Sequence, residues 1–493
     1  MSIVGSGLLA RDMAASLGHP SLSAWFGSIV NIMTLATILP VSQSSDYWGR
    51  KPFILTSNAF GFVGFLIVAR SNNIATGLAG FVIGSTCFAC QALCYAIPSE
   101  VLNRKYRGFG QASVNISGGL AALTGSLIGG ALTKSDTEGW RTYWYICAAM
   151  FALGAVGVFF GYNPPPREKQ TLFSTTQKLG KMDWTGILLI ATGIVLFAMS
   201  LQWSGNPYTW SDGHVLGPFI SGIFLLLIFV GWEWKGTKEG ILHHSLFKHR
   251  NFPLATTLTF LEGLSFFTLN TFFVPELITV GHFASTTASY PFVVNFAAAI
   301  AIAPCVGAYI TWAKQVREPL ALGFFLLTTF CVLMSFFHNG LSIANAYGYA
   351  IVGGAGFGCI LTSALTAAQM ATPRDQISLS SGLPTAARSL GAAVGIAINN
   401  AIFNNSFGEK LPQMVAAAVV PLGFDSKDLG ALISALTSQS QAAMAKVPGI
   451  TPQITAAAVR ALTEAYRVSY RGLWIAAGCF AGVAVIGKFE PVR

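Results

Sequence analysis

Charged residues are scarce in this sequence. Only 10% of its 493 residues are Asp, Glu, Lys or Arg, whereas about 25% is ordinary in a soluble domain. A polar surface around a chain of this length would need more charge than 19 acidic and 29 basic residues provide. The composition therefore excludes a water-soluble globule and indicates that lipid surrounds most of the chain.

The sequence also lacks the motifs of common enzymes. It contains no HExxH zinc motif, no P-loop and no GxSxG turn. Its eight cysteines fall inside apolar runs, which favours neither a disulfide framework nor a zinc site. His243 and His244 have no acidic or cysteine partner at ligand spacing. We therefore expect no enzymatic activity, no cofactor and no bound metal.

Long apolar runs make up most of the chain. Thirteen runs, from residues 24–45 to residues 470–488, are long enough to cross a bilayer, which takes about 20 residues per helix. Most are rich in Gly, Ala, Ser and Thr, which suit helices that pack closely inside a membrane. The expected fold class is an all-α membrane protein.

The net charge of +10 is spread unevenly over the loops. Most Lys and Arg residues fall in alternate loops, and the short loops of the other set hold only Arg11, Arg70, Lys134 and Arg141. By the positive-inside rule, the basic loops and the C-terminus face the cytoplasm. The basic residues form short clusters and no continuous stripe, so we expect contact with a lipid bilayer and no nucleic-acid partner.

The beginning of the chain is apolar but too short to form a span. With thirteen spans and a cytoplasmic C-terminus, the N-terminus would lie outside. Residues 1–9 are followed directly by Arg11 and Asp12. We interpret this segment as the outer stub of a first helix that is missing from the chain, and restoring that helix gives fourteen spans.

Proline and charge mark a boundary between two halves of the chain. Pro164, Pro165 and Pro166 are followed by Arg167 and a lysine-bearing stretch. We predict an N-terminal bundle at 1–161 that lacks most of its first helix, a linker with two extra spans at 162–252, and a C-terminal bundle at 253–493. An outer insert at about 404–469 is expected to form two short surface helices.

A charged turn follows the first complete span and reads Asp46, Tyr47, Trp48, Gly49, Arg50, Lys51. It resembles the cytoplasmic motif of the major facilitator superfamily, although Ser42 replaces the family glycine four residues before the acid. In that family the acid and the basic pair bridge neighbouring helices and latch the inner gate. The resemblance assigns this role to Asp46, Gly49, Arg50 and Lys51. On the charge bias alone, an ordinary basic anchor at the end of a helix is an equally good interpretation of this turn.

A second resemblance covers nearly the whole chain. It is carried by four groups of residues: Glu100, Arg107 and Gly108; Pro164 to Arg167; Asp183, Trp184 and Gly186; and Gln202, Trp203, Gly205 and Trp210. These are similar to the fourteen-helix fungal branch that contains trichothecene efflux pumps. Two positions depart from its antiporter relatives, because the fourth-helix Arg falls at Gly80 and the fifth-helix Pro at Ser126.

This resemblance implies a major facilitator fold with two six-helix bundles and two linker helices, with Glu100 and Arg107 at the cytoplasmic gate. It also implies a monomer that exports a hydrophobic or amphipathic small molecule, such as a toxin, drug or secondary metabolite, in exchange for protons. The implied location is the fungal plasma membrane, with the vacuolar membrane as the alternative. Fungal siderophore transporters are a close relative, so proton-coupled transport of ferric siderophores stays open.

Three ionisable residues fall at membrane depth: Glu262, Glu276 and Arg388. Each costs at least about 2.5 to 3.5 kcal/mol near the bilayer centre and needs a partner or a wet cavity. Glu262 and Arg388 lie roughly 12 and 16 Å from the cytoplasmic ends of their spans. If these helices adjoin, protonation of Glu262 would leave Arg388 unpaired, which predicts a coupling switch. A structural ion pair that never titrates is the alternative.

Other polar and aromatic residues complete the predicted pathway. Helical spacing places Gly84, Cys87, Gln91 and Tyr95 on one face, and Gln91 is the best neutral contact for a solute. A hydrogen bond between helices is the alternative role for Gln91. Further candidates are Asn115, Asn270 and Asn295, with Phe266 and Phe273 on the Glu262 face. Glu276, near the outer boundary, is expected to line the outer vestibule or to reach the interface.

Together these features predict a secondary transporter that works by alternating access, with its solute site near the membrane midplane. An alternative of another class is a truncated protein that transports nothing and acts as a sensor or regulatory partner. The missing first helix motivates that alternative.

Overall fold

The structure, a computed structural model, describes residues 1–19, 22–136, 138–166, 168–204, 208–237, 240–242, 244–372, 376–437 and 447–485. Arg167, Gly205 and His243, named above, lie outside these residues. In the described part of the chain, thirteen helices are long and apolar enough to cross a membrane. The predicted all-α class and the count of thirteen spans are therefore confirmed.

Helices α1 to α7 are Trp25–Trp48, Arg50–Ala69, Ile74–Val101, Arg104–Lys134, Gly139–Gly161, Trp184–Trp203 and Gly213–Gly236. Helices α8 to α13 are Asn251–Thr279, Ser285–Ala313, Arg317–Ser335, Ile343–Met370, Ile377–Leu422 and Pro452–Val485. Within the first half α2 packs on α3 and α5, and within the second α8 packs on α12 and α9 on α11. The halves meet where α1 and α3 contact α12 and where α4 contacts α9 and α11.

The two extra spans, α6 and α7, pack against each other, and α6 also contacts α1 and α12. The pair therefore borders the place where the two halves meet. The division into bundles at 1–161 and 253–493 with a linker at 162–252 stays a prediction.

Two short helices, Ser2–Leu8 and Ala10–Ser16, precede α1. The Tyr143 hydroxyl in α5 donates a hydrogen bond to the Met1 carbonyl at 2.8 Å. Leu9 and Met13 are fully buried in a cluster with Phe26, Phe65 and Trp144. The apolar start of the chain thus packs on the outer ends of the first-half helices.

Only part of the predicted outer insert at about 404–469 lies among the described residues, so its two short surface helices stay a prediction. One short helix, Leu429–Thr437, is described there, and the neighbouring stretches continue α12 to Leu422 and begin α13 at Pro452. The last span therefore begins well before residue 470. Alanine is the best helix former, so these Ala-rich stretches extend neighbouring helices. A shared cluster that includes Val415, Leu432 and Ala458 holds them together, while residues 438–446 lie outside the description.

Helices α8 and α12 approach closely because glycines face backbone at their contact. A Cβ on Gly395 would lie 2.6 Å from the Leu264 carbonyl oxygen and 2.9 Å from its Cα. Backbone atoms cannot rotate away as a side chain could, so this position admits no larger residue without a shift of one helix.

We predict that Gly395→Ala lowers the stability of the protein by about 1 to 3 kcal/mol because it forces α8 and α12 apart. Gly348→Ala in α11 is the matched control, since a Cβ there meets nothing within 4 Å. Thermal unfolding of both purified variants in detergent measures the difference. An unchanged melting temperature for Gly395→Ala would contradict the close contact.

Candidate functional site

An ion pair lies inside the membrane-spanning region between α8 and α12. The Arg388 guanidinium donates to both carboxylate oxygens of Glu262, from Nε at 2.6 Å and from Nη2 at 3.2 Å. Glu262 is fully buried, whereas the Arg388 side chain is 13% exposed. The structure therefore brings these two predicted residues together, and the accessible member of the pair is the arginine.

Aromatic rings surround the guanidinium. Its central carbon lies 5.1 Å from the ring centres of Phe266 and Phe267 and 5.5 Å from that of Phe357. Phe266 stacks on Phe357 with ring centres 4.0 Å apart. Ring faces attract a cation, so these residues help to hold Arg388 where water is scarce. Phe266, predicted as a solute contact, thus forms one wall of the arginine site.

A polar cluster from the first half faces this ion pair. Tyr95 in α3 lies close enough for its hydroxyl to interact electrostatically with both Arg388 and Glu262, and it contacts the side chain of Gln91. The same hydroxyl donates to the Asn115 carbonyl oxygen at 3.4 Å. The Asn115 amide donates to the Thr362 hydroxyl in α11 at 3.0 Å. Gln91, Tyr95 and Asn115 therefore lie together beside the charges, at a point where both halves contribute.

Three other candidates lie elsewhere. Asn270 is half-buried two turns beyond Glu262 and makes no side-chain hydrogen bond with the residues described. Asn295 is fully buried and donates to the Ala350 carbonyl at 3.0 Å, which is a bond between helices. Phe273 is fully buried with its ring 5.6 Å from that of Phe330. The predicted solute contact of Phe273 is wrong because it faces the interior of the second half.

The prediction that Glu276 lines the outer vestibule or reaches the interface is also wrong. Its carboxylate is 1% exposed and accepts a hydrogen bond from the Trp474 indole at 2.5 Å. The residue neither lines a vestibule nor reaches the interface, because α13 covers it. Sequence spacing along α8 gave its depth but not the helix that packs over it.

The shared face predicted for α3 does not form. Residues Thr86–Cys90 adopt a tighter 3-10 helix, which has three residues per turn and rotates the chain relative to an α-helix. Cys87 packs among first-half side chains, whereas Tyr95 packs with Leu361 and Leu365 of α11. Only the part of α3 after this break faces the second half.

The charged turn forms a buried cluster at the end of the helices that is predicted to be cytoplasmic. Arg50 donates to Asp46 at 2.5 Å and to Glu100 at 2.9 Å, and thereby joins the ends of α1, α2 and α3. Gly49 has a φ of 91°, a backbone conformation that favours glycine. Lys51 points elsewhere and donates to the Phe159 carbonyl at 2.7 Å and to Asn163 at 2.5 Å. Asp46, Arg50 and Glu100 are thus one cluster, and Lys51 is separate from it.

A second network, built mainly of neutral side chains, crosses between the halves at the same end. The Gln369 side chain of α11 accepts from Gln111 at 2.8 Å and from Ser99 at 2.5 Å. It also donates to the Tyr95 carbonyl at 3.0 Å and to the Ser381 hydroxyl at 2.8 Å. Arg107 donates to the Gln369 carbonyl at 2.9 Å. These buried bonds join α3 and α4 to α11 and α12, so the ends of the halves that are predicted to be cytoplasmic are held together.

The family profile of the Major Facilitator Superfamily matches residues 1–396. The chain belongs to the Major Facilitator Superfamily.

Two curated relatives of this major facilitator protein are named as efflux pumps. Efflux pump FUS6 of Gibberella fujikuroi is 24% identical over 431 residues, which are 86% of this chain and 76% of the pump. Trichothecene efflux pump TRI12 of Fusarium sporotrichioides is 22% identical over 514 aligned residues, which cover 99% of this chain and 84% of the pump. The resemblance to fungal efflux pumps, expected from the sequence, is confirmed.

Solved structures confirm the major facilitator fold. The human organic anion transporter MFSD10 (TETRAN) has a TM-score of 0.56 at 14% identity and covers 97% of this chain and 98% of its own. The proton:xylose symporter XylE has a TM-score of 0.51 at 12% identity, with 97% and 93% covered. At these identities the likeness concerns the fold.

One departure from the major facilitator antiporter pattern has a steric cause. A Cβ on Gly80 would lie 2.9 Å from the Val68 nitrogen and 3.0 Å from the Gly64 carbonyl oxygen. The contact between α2 and α3 therefore leaves no room for an arginine at this position. The charge at membrane depth lies in α12 instead, at Arg388.

Sequence reasoning missed Gln111, Gln369, Ser99 and Ser381. Placing a neutral amide or hydroxyl in the membrane costs much less free energy than placing the Glu262 carboxylate there, so these residues do not stand out in the sequence. A usable signal was nevertheless present, because each lies within about three turns of the cytoplasmic end of an apolar run. Amides at matching depth in different spans often bond to one another.

We predict that Gln369→Leu weakens closure at this end, because it removes the hydrogen bonds that the Gln369 side chain makes to Gln111, to Ser99 and to the Tyr95 carbonyl across the junction of the halves. Each such bond contributes about 0.5 to 1.5 kcal/mol net. The reporter is Ser42→Cys in α1, a fully buried position that faces Gly382 of α12. In inside-out vesicles, an impermeant maleimide should label this cysteine faster when Gln369→Leu is also present. Mass spectrometry of the peptide that contains it measures the labelling. Gln413→Leu, exposed on the outer extension of α12, is the control. Equal labelling in both variants would refute the role.

Proposed function

We propose that this protein exports a hydrophobic or amphipathic small molecule, such as a toxin, drug or secondary metabolite, in exchange for protons. The observation that carries the proposal is the buried Glu262 and Arg388 pair beside the polar cluster of Tyr95, Gln91 and Asn115. The fungal relatives FUS6 and TRI12 are named as efflux pumps, which supports export. The fungal plasma membrane is the proposed location, and the proposed working unit is a monomer.

Proton coupling follows from the charge balance of the pair. With Glu262 ionised, the pair has no net charge, and the aromatic walls form a surface suited to an apolar solute. Protonation of Glu262 removes the partner of Arg388 and leaves a buried cation that must be hydrated. Water around the guanidinium then competes with an apolar solute. Solute and proton therefore prefer different states of the site, as exchange requires.

The polar cluster gives the site its orientation. Gln91, Tyr95 and Asn115 offer donors and acceptors on the first half, while Phe266 and Phe357 offer ring faces on the second half. Such sites are mostly apolar with a few placed polar groups. An amphipathic solute can lie across the junction of the halves, and Asn270 lies further outward on the same helix.

The cytoplasmic gate opens and closes access to this site. The charged part of the gate consists of Asp46, Arg50 and Glu100, with Gly49 in the same turn. The part that joins the halves includes Arg107 and Gln369. Lys51 anchors the end of α2. With these ends closed, the site would exchange with the outer side. Alternating access requires the contacts between the halves to break in the other state.

We predict that Glu262→Gln abolishes proton-driven transport while the protein still reaches the membrane. The amide can still bond to Arg388 but cannot lose or gain the coupling proton. Uphill solute transport in proteoliposomes with an imposed pH gradient is the measurement. Glu138→Gln, in the partly exposed pair with Arg141, is the matched control and should transport normally. Retained uphill transport by Glu262→Gln would exclude this carboxylate as the coupling group.

Variants of Arg388 distinguish proton coupling from a purely structural role of the ion pair. Arg388→Met alone should lower stability by about 3 to 5 kcal/mol because it leaves a buried unpaired carboxylate. Glu262→Gln combined with Arg388→Met removes both charges and should recover most of that stability without recovering transport. If the double variant transports uphill, the pair serves structure only.

We expect a strain that lacks this protein to become sensitive to hydrophobic toxins while growth on ferric siderophores is unchanged. Accumulation of a panel of labelled fungal toxins and siderophores in mutant and complemented cells measures the difference. Loss of growth on chelated iron, with unchanged toxin sensitivity, would favour the siderophore alternative. No change for any solute would favour the sensor alternative.

A further inference from the structure

The ion pair of the proposed transport site offers a solute only one of its two charges. The Glu262 side chain has no exposed surface, and each of its carboxylate oxygens accepts a hydrogen bond from Arg388. The Arg388 side chain keeps 13% of its surface exposed. Glu276, the other acid in α8, is 1% exposed and is covered by α13 at its contact with Trp474. Among the described residues, a solute beside the pair therefore meets a guanidinium group and no carboxylate.

The ring faces that could bind an organic cation are also engaged. The guanidinium carbon of Arg388 lies over the rings of Phe266 and Phe267 at 5.1 Å and over the ring of Phe357 at 5.5 Å. Phe266 and Phe357 stack on each other with ring centres 4.0 Å apart, which covers one face of each ring. Proteins hold organic cations with carboxylates and with ring faces. Because Arg388 takes up both kinds of partner, a second cation here would find none and would be repelled.

The guanidinium group has hydrogen-bond donors to spare. It carries five N–H groups, and Glu262 accepts one from Nε and one from Nη2. The Nη1 nitrogen of Arg388 bonds to none of the described residues and is not fully enclosed by them. A guanidinium group has no acceptor. The accessible part of the ion pair can therefore bind an oxygen atom of a solute but no donor group.

A second donor comes from the first half of the molecule. The Asn115 carbonyl oxygen accepts from the Tyr95 hydroxyl at 3.4 Å, and its amide group donates one N–H to Thr362 at 3.0 Å. The amide group has a second N–H to give. Phe357 packs against Tyr95 as well as against Arg388, so both donors border the same space. A solute oxygen can thus meet a donor from either half.

We propose that this site selects its solute by charge: it binds uncharged molecules through a carbonyl, ester or ether oxygen that accepts from Arg388 Nη1, and it excludes organic cations. This inference rests on the proposed function and narrows the hydrophobic or amphipathic solute to a class that bears oxygen acceptors. Anions are excluded as well. With Glu262 ionised the pair has no net charge, so a buried anion would lack a counter-ion.

Four naphthalenes of similar shape, substituted at the same ring position, test this selection. Acetylnaphthalene carries the ketone, isopropenylnaphthalene has a methylene group in place of the oxygen, naphthylethylammonium is the cation and naphthoate is the anion. Both ions are fully charged at about pH 7. Equilibrium dialysis of the full-length protein in lipid nanodiscs, corrected with empty nanodiscs of the same lipid, measures each Kd. The ketone should bind about tenfold tighter than the alkene, and both ions about tenfold or more weaker than the alkene.

Variants connect this selection to the guanidinium group. Arg388→Met removes the donor and the positive charge, so the ketone should lose its advantage over the alkene and the ammonium should no longer bind more weakly. If Arg388→Met does not fold, Glu262→Gln combined with Arg388→Met leaves no charge at the site and should also bind ketone and alkene equally. Arg467→Met, in the partly exposed pair with Glu464 on α13, is the matched control and should bind all four probes like the original protein.

Three results would overturn the proposal. The first is tighter binding of the ammonium than of the alkene by the original protein, and the second is a ketone preference that survives without Arg388. The third is tighter binding of naphthoate than of the ketone, which would identify the solute as an acid. Each of these leaves export itself intact. Binding of none of the probes would also count against the selection, and uphill transport of other solutes would then show that export stands without it.

Discussion

The close contact of α8 with α12 is the constraint on which the proposed transport site depends. Glu262 and Arg388 form two hydrogen bonds at a place where their helices lie nearly backbone to backbone. Gly263, Gly391 and Gly395 make this approach feasible, since a Cβ on any of them would strike backbone of the opposite helix. A buried pair with imperfect geometry would not recover its desolvation cost. Packing of small residues therefore decides whether a titratable charge is tolerated at this depth.

The centre of the membrane-spanning region and the end that is predicted to be cytoplasmic are held by different interactions. The central pair is charged, so its state changes strongly when one proton is added. The contact between the halves at the cytoplasmic end is built around the neutral side chains of Gln369, Gln111 and Ser99. Each neutral hydrogen bond contributes only about 0.5 to 1.5 kcal/mol net. A few such bonds can hold a gate closed and still be broken during each transport cycle.

The parts of this architecture that sequence reasoning could predict are those with a large energetic signature. Apolar length predicted thirteen spans, and the cost of charge in lipid singled out Glu262 and Arg388 before their contact was known. The 3-10 stretch in α3 and the α13 cover over Glu276 depend on tertiary packing, which periodicity does not contain. Gln369 was missed for the same reason, since an amide becomes part of a gate only through its partners.

The extra helix α6 packs against two of the helices that contribute to the proposed gate and transport site. Helix α6 touches α1 and α12, which meet across the two halves, so relative motion of the halves must move against α6. Gly49 shows how close the linker lies, because a Cβ there would strike the Gln170 side chain. The glycine of the charged turn is favoured by its positive φ, and the Gln170 side chain that lies against it places the segment after residue 161 beside this turn. The packing of that segment is therefore part of the energetics of the proposed gate.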